Sequence, residues 1–270
     1  MDYQQYFDAN KDSWNKRTQV HQKSDFYGLE QWKINPAATS LNPAEIREIG
    51  DVKGKSLLHL QCHFGQDTLS FARMGARVTG CDLSDEAIAT ANALATEVGL
   101  SDAKFVCCNV YDLPAHLQGQ FDIVFTSYGT IGWLPDLKPW AEVIVHFLKP
   151  GGVFYIIDFH PVLWMMDDNM THLKYAYHNA AVIETEQKGT YADRDADLAY
   201  TEYGWNHSFS ELLNSLLNAG LQVEFLNEYT YSPYNCFANT VKGDDGNYRI
   251  KGLEDVLPMV YSLKMTKPAS

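Results

Sequence analysis

Long apolar runs are missing from this sequence: no stretch approaches the roughly 20 residues that a membrane-crossing helix needs. A basic excess is missing too. The chain sets 21 Lys and Arg against 34 Asp and Glu, a formal net charge of −13. A protein that grips nucleic acid displaces counterions with a basic footprint, and the sequence has none. Anionic membrane surfaces are disfavoured on the same ground. The opening stretch, MDYQQYFDANKDSWNKRTQV, lacks the apolar core of a secretory signal. Cysteine is sparse: Cys62, Cys81, Cys107, Cys108 and Cys236 make an odd count with no CxxC pair. Buried, reduced thiols in a cytoplasmic protein are the expectation.

What is present suits a globular chain. Apolar residues make up 46% of 270 positions, enough for one large domain, or a domain plus a sizeable insertion, with a core that needs no staples. Oligomeric state leaves no mark in the sequence.

From residue 56 a β/α rhythm sets in. Residues 56–61 (SLLHLQ) read as a strand that ends in a loop at Cys62–Gly65, and Asp67–Met74 as a helix stopped by Gly75. Arg77–Cys81 is a second strand, closed by Asp82. Ser84 caps the next helix, with Asp85 and Glu86 at its positive end. Ala87, Ile88, Ala91, Leu94, Ala95 and Val98 recur at helical spacing until Gly99. Lys104–Cys108 and Phe121–Thr126 read as strands, Leu137 to Leu148 as a helix, residues 149–152 as a turn, and Val153–Phe159 as a fifth strand. Such alternation implies a parallel sheet covered on both faces.

The rhythm breaks at about 160–205, read as an insertion of loops that can include antiparallel strands. It resumes with a capping box at Ser208–Glu211, a helix, a strand at Leu221–Tyr229, and a last, antiparallel strand at 258–266. Residues 1–50 carry Trp14, Phe26, Tyr27 and Trp32 on a polar background. Two readings stand for this helical arm: packing on the sheet, or a lid in which Trp14 and Tyr27 cover a ligand.

Ligands of an open α/β sheet bind beyond the carboxyl ends of its strands. The loop 59–65 (HLQCHFG) ends at a helix N-terminus, where backbone N–H groups suit a carboxylate or phosphate. Asp82 closes the second strand, and its two oxygens match the two hydroxyl donors of a ribose. Asn109 and Val110 close the third, placed to meet an adenine edge. Together they fit an adenosine-containing ligand.

These segments resemble the class I S-adenosylmethionine-dependent methyltransferases. LLHLQCHFGQDTLSFA resembles the first motif of that family, GCDLSDEAI the second, CNVYDLP the third, and FDIVFTSYGTIGWLPDL and LKPGGVFYIID the fourth and fifth strands. The likeness spans roughly residues 50–160, with a weaker echo through 206–266. It implies a Rossmann-like, doubly wound α/β fold with a mostly parallel seven-stranded sheet over residues 51–270, preceded by the arm. It also implies S-adenosylmethionine as cofactor, held by Gln61, His63, Gly65, Asp82, Leu83, Asn109, Val110 and Ser127. One departure bears on the loop's shape: His59, Gln61 and His63 replace the family's acid and its first two glycines, and only Gly65 remains. The LQCHFG wording is similar to that of a subset of the family. A metal reading of His59, Cys62 and His63 lacks a fourth ligand; His63 is expected to face the methionine end of the cofactor.

Methyl transfer to a small molecule needs alignment and dryness more than a protein nucleophile. A protonated acceptor also wants a base, for which His160 is the candidate. Tyr128, Trp133, His160 and Trp205 are expected to wall the acceptor pocket, with Asn206 and His207 near. The segment Ser232-Pro233-Tyr234-Asn235 is similar to a loop that grips flipped bases in DNA methyltransferases, but it follows the wrong strand and lacks the second proline. Two other readings compete. An NAD(P)-dependent oxidoreductase would want glycines that this loop lacks. A non-catalytic S-adenosylmethionine-binding regulatory domain is favoured by the altered first motif.

Overall fold

The computed structural model describes residues 3–269. Three helices come first: α1 (Gln4–His21), α2 (Leu29–Ile34) and α3 (Pro43–Ile49). The β/α unit follows as β1 (Ser56–Leu60), α4 (Gln66–Arg73), β2 (Arg77–Asp82), α5 (Asp85–Glu97), β3 (Lys104–Cys107), α6 (Leu113–His116), β4 (Phe121–Thr126), α7 (Leu137–Phe147) and β5 (Leu148–Phe159). An antiparallel hairpin, β6 (Ile183–Lys188) and β7 (Ala199–Gly204), lies within the stretch where the rhythm breaks. The chain closes with α8 (Phe209–Asn218), β8 (Gln222–Tyr229), a small hairpin of β9 (Thr240–Lys242) and β10 (Tyr248–Ile250), and β11 (Val260–Thr266).

Seven strands form one sheet in the order β3-β2-β1-β4-β5-β11-β8. The first five are parallel, and β11 is antiparallel to both β5 and β8. This is the Rossmann-like, doubly wound sheet that the alternation and the resemblance imply. Continuous apolar runs explain the central strands: Leu57, Leu58, Leu60, Val124, Phe125, Phe154 and Ile156 are all fully buried. The edge strand β8 instead reads QVEFLNEY, whose charges guard an open edge. The turn expected at 149–152 is part of β5, where the pairing with β4 shifts register between Phe121 and Ile123. One face of the sheet is covered by α7 and α8, through Trp140, Ile144, Leu212 and Leu216. The other face packs against Leu41, Ala44 and Ile49 of the arm, together with Phe71 of α4.

Going from β1 the chain steps outward to β3, then returns to place β4 on the opposite side of β1. The order reverses between β1 and β4, and a crevice opens there at the strands' carboxyl ends. The arm roofs it. Asn10 acts as a strand surrogate on β7: its Nδ2 donates to Tyr203 O, and its Oδ1 accepts from Tyr203 N, both at 2.8 Å. Arg17 pairs with Glu202 of the same hairpin. Lower down, Arg73 of α4 donates to the carbonyls of Trp32, Asn35 and Ala38 and stacks 3.6 Å from the Trp32 ring. The arm therefore bridges the inserted hairpin and the sheet-bound helices.

Candidate active site

The loop between β1 and α4 departs from the glycine-rich pattern in sequence but keeps left-handed backbone at alternate positions. Gln61 has φ 55°, His63 φ 51° and Gly65 φ 77°. Two residues with side chains occupy a region that normally favours glycine, and each is held by its contacts. Gln61 Nε2 donates to Thr130 O at 2.9 Å, across to the loop after β4. His63 N donates to Asp82 Oδ2 at 2.8 Å, and its ring Nε2 lies 2.9 Å from His21 Nδ1 of the arm. Glycine suits position 65 for a second reason: a Cβ there would come within 2.6 Å of the Phe105 ring, which would have to shift.

A cavity of about 850 Å³ begins at this loop. Gln61, His63, Gly65, Asp82, Leu83, Asn109, Val110 and Ser127 line it, at the ends of β1 to β4. Tyr128, Trp133 and Trp205 line it as well, as do Trp14 and Tyr27 of the arm. Asp82 accepts from His63 N at 2.8 Å and Ser84 N at 2.9 Å. A carboxylate offers about four acceptor sites, so these bonds leave acceptor capacity for a ribose hydroxyl. Burial pushes the Asp82 pKa up, and the backbone N–H groups of Ser84, His63 and Leu83 partly offset it. Asn109 spends its Oδ1 on Tyr111 N at 3.1 Å, which leaves its NH2 as the group for a ligand ring nitrogen. The site thus fits the adenosine part of S-adenosylmethionine.

The histidines near the loop are neutral. Burial lowers His59 to about 3, while its Nδ1 sits 2.8 Å from Thr68 Oγ1 and its Nε2 3.4 Å from Ser127 Oγ. His63 is lowered to about 3 by burial and the Arg17 charge, and His21 to about 2 by burial, His63 and Arg17. Among the described residues no group of three or more His, Cys, Asp or Glu is arranged to hold a metal ion.

One expected pocket residue lies elsewhere. His160 does not line the cavity. Its backbone N donates to Met259 O at 2.9 Å, extending the pairing of β5 with β11. That turns the ring toward β8, where Nε2 meets Glu228 Oε1 at 2.7 Å and the ring packs on Phe209. His160, expected as the base, is thus buried between β8 and α8, outside the cavity lining. His207 is likewise outside, bonded to Leu134 O at 2.7 Å, whereas Asn206 lines the cavity.

The structure also brings in residues that the sequence did not single out. Asp158 lines the cavity from the end of β5 and is 1% exposed. It accepts from the N–H groups of Gly129, Phe159 and Thr130, so it clamps the loop that carries Tyr128 and Trp133. Burial raises it to about 6 despite these donors. Arg17 lies under the rings of Trp14, Trp133 and Tyr200, at 4.8, 5.3 and 4.4 Å. Asp67, Tyr191, Tyr234 and Phe237 complete the far wall. Tyr234 belongs to the segment set aside as a chance likeness. Only Asp67, two residues past Gly65, carried a positional signal.

Comparison with known proteins agrees with this geometry. Residues 57–152 match the model of a family described as a methyltransferase domain. A methyltransferase of Synechocystis is 34% identical over 114 residues, which cover 42% of this chain and 51% of that protein. The chain thus spans about half the length of that relative. A ubiquinone biosynthesis O-methyltransferase of Xanthomonas euvesicatoria is 28% identical over 77% of this chain and 81% of its own. Among solved structures, an S-adenosylmethionine-dependent methyltransferase of Mesorhizobium loti shares the fold with a TM-score of 0.57 at 18% identity, covering 83% of this chain and 96% of the other. Residues 57–152 are thus similar to a methyltransferase domain, and the fold is the one that S-adenosylmethionine-dependent methyltransferases adopt.

Proposed function

We propose that the protein transfers the methyl group of S-adenosylmethionine to a small-molecule acceptor inside the roofed cavity. The observation that carries this reading is the convergence of Asp82, Asn109 and the left-handed 61–65 loop on one cavity at the ends of β1 to β3. Asp82 holds the ribose, the Asn109 NH2 and Val110 meet the adenine, and Gln61, His63, Gly65, Leu83 and Ser127 complete the cofactor wall. The bound cofactor supplies an already electrophilic methyl group. The chain's own residues orient both partners and keep water out.

Tyr128, Trp133 and Trp205 form the acceptor side, and the arm serves as a lid through Trp14 and Tyr27. The aromatic roof supports this, because closing it dries the site. The net charge of −13 argues against nucleic acid as acceptor. Five free thiols support a reducing, cytoplasmic setting.

Turnover tests the proposal. The protein is incubated with S-adenosylmethionine and pooled metabolite extracts, and S-adenosylhomocysteine is quantified. Release above the acceptor-free background is expected from at least one pool. Tight nucleoside binding with no release from any pool would favour the non-catalytic regulatory reading instead.

A further inference from the structure

Asn10 and Asn206 both line the cavity, but their amides are used differently. Asn10 gives one bond to Tyr203 and accepts one back, so it is fully paired. Asn206 is 7% exposed, and its Nδ2 donates to two backbone carbonyls, Trp164 O at 2.8 Å and Ala176 O at 2.7 Å. Carbonyls accept and do not donate, so the nitrogen must face them and the partners settle which way the amide lies. The planar group then turns Oδ1 away from both. That oxygen accepts from no group among the described residues. Nor is it sealed in: the enclosed polar atoms without a partner lie elsewhere, Gln61 Oε1 and His63 Nδ1 among them. Asn206 Oδ1 is therefore open to the cavity that its residue lines.

Its chain neighbours hold it still. Trp205 N donates to Gly132 O at 2.8 Å, and His207 Nε2 lies 2.7 Å from Leu134 O. The residues before and after Asn206 are thus fastened to the loop after β4, on both sides of Trp133. Helix capping makes no demand on the Asn206 side chain, because Ser208 Oγ caps α8 by accepting from Glu211 N at 3.2 Å. A buried amide whose nitrogen is spent and whose oxygen is fixed and free needs no reordering when a ligand arrives. With lone pairs and no proton, that oxygen bonds O–H or N–H, and it gains nothing from a carboxylate, a phosphate or a ketone.

Asp82, Asn109 and the 61–65 loop lie at the ends of β1 to β3, whereas Asn206 sits against the loop after β4. We propose that Asn206 Oδ1 accepts a hydrogen bond from an O–H or N–H group of the methyl acceptor and so orients that molecule beside Trp133. The identification of the ligand as the methyl acceptor rests on the methyl-transfer reading; the site for a hydrogen-bond donor does not.

The test uses p-cresol and its methyl ether, 4-methylanisole, a pair that differs in the hydroxyl proton; Trp164 and Trp205 beside Asn206 suit an aromatic probe. Both are titrated into the full chain by ligand-observed NMR, with and without saturating S-adenosylhomocysteine. The wild type is expected to bind the phenol about threefold tighter than the ether, or better, and Asn206→Ala to lose that preference. No preference in the wild type overturns the proposal. So does an Asn206→Ala variant that weakens both probes alike, the result that a mere brace between Trp164 and Ala176 would give. Should the variant not fold, the side-chain amide signals of Asn206 in the wild type decide: they should shift with the phenol and not with the ether, and equal shifts overturn the proposal.

A second arm separates the two molecules that could bring the proton, since S-adenosylhomocysteine also carries O–H and N–H groups. If Asn206→Ala weakens S-adenosylhomocysteine and leaves the preference for the phenol intact, the oxygen serves the nucleoside and the proposal falls. A wild type that prefers the phenol yet binds no S-adenosylhomocysteine keeps the site for a hydrogen-bond donor and loses the methyl-transfer reading.

Discussion

At position 63 a histidine sits where the backbone asks for glycine. Its φ of 51° carries the Cβ penalty of the left-handed region, roughly 1 kcal/mol. The ring offsets this by bonding His21. Replacing His63 by Ala keeps the penalty and removes the ring, whereas Gly removes both. Urea unfolding should therefore find His63→Ala less stable than His63→Gly by about 1 kcal/mol. The opposite order would mean that the loop does not store this strain.

Asp82 gives a pH prediction. Its pKa stands above the ordinary value because it is buried. Protonation removes acceptor capacity, so affinity for S-adenosylhomocysteine is full above that raised pKa and falls as pH drops through it. The fall should begin at higher pH than an exposed aspartate would give. Asp82→Asn should bind at least tenfold more weakly at pH 7.5, a loss of about 1.4 kcal/mol, and lose this component of the profile. Calorimetry across pH 4.5–8 is the check.

That Asp82, Asn109 and Gly65 share one cavity was legible because each closes or opens an element within its own motif. His160 was not, since its orientation depends on β11, a strand about a hundred residues further on. Tyr234 escaped for a related reason: its place on the cavity arises only where distant segments meet.

Between the elements, the decisive contact is α1 against β7. The apolar periodicity that reveals sheet-facing helices is weak in α1, whose buried residues are Asn10, Ser13, Arg17, Thr18 and His21. Its packing is polar, which is why the sequence offered only an arm or a lid. The β/α core, by contrast, announced itself through apolar strands and capped helices; Ser84 and Ser208 both accept from the backbone N–H of the residue three places on. Asn10→Ala removes both of its bonds to Tyr203 and should cost about 1–3 kcal/mol locally. Hydrogen exchange is the measurement: the Tyr203 amide should lose protection while the β1 and β4 amides keep theirs. Unchanged exchange at Tyr203 would show that the arm is anchored by other contacts.

For the molecule as a whole, sheet order and ligand position are one statement. Because the order reverses between β1 and β4, the crevice, the acid at the end of β2 and the amide at the end of β3 face the same space. The arm and the inserted hairpin line the same cavity. A crystal structure grown with S-adenosylhomocysteine tests this directly. The account predicts the ribose hydroxyls within hydrogen-bond reach of both Asp82 oxygens, and the adenine beside Asn109 and Val110. Density for the nucleoside anywhere else, or a chamber filled only by solvent at saturating ligand, would contradict it.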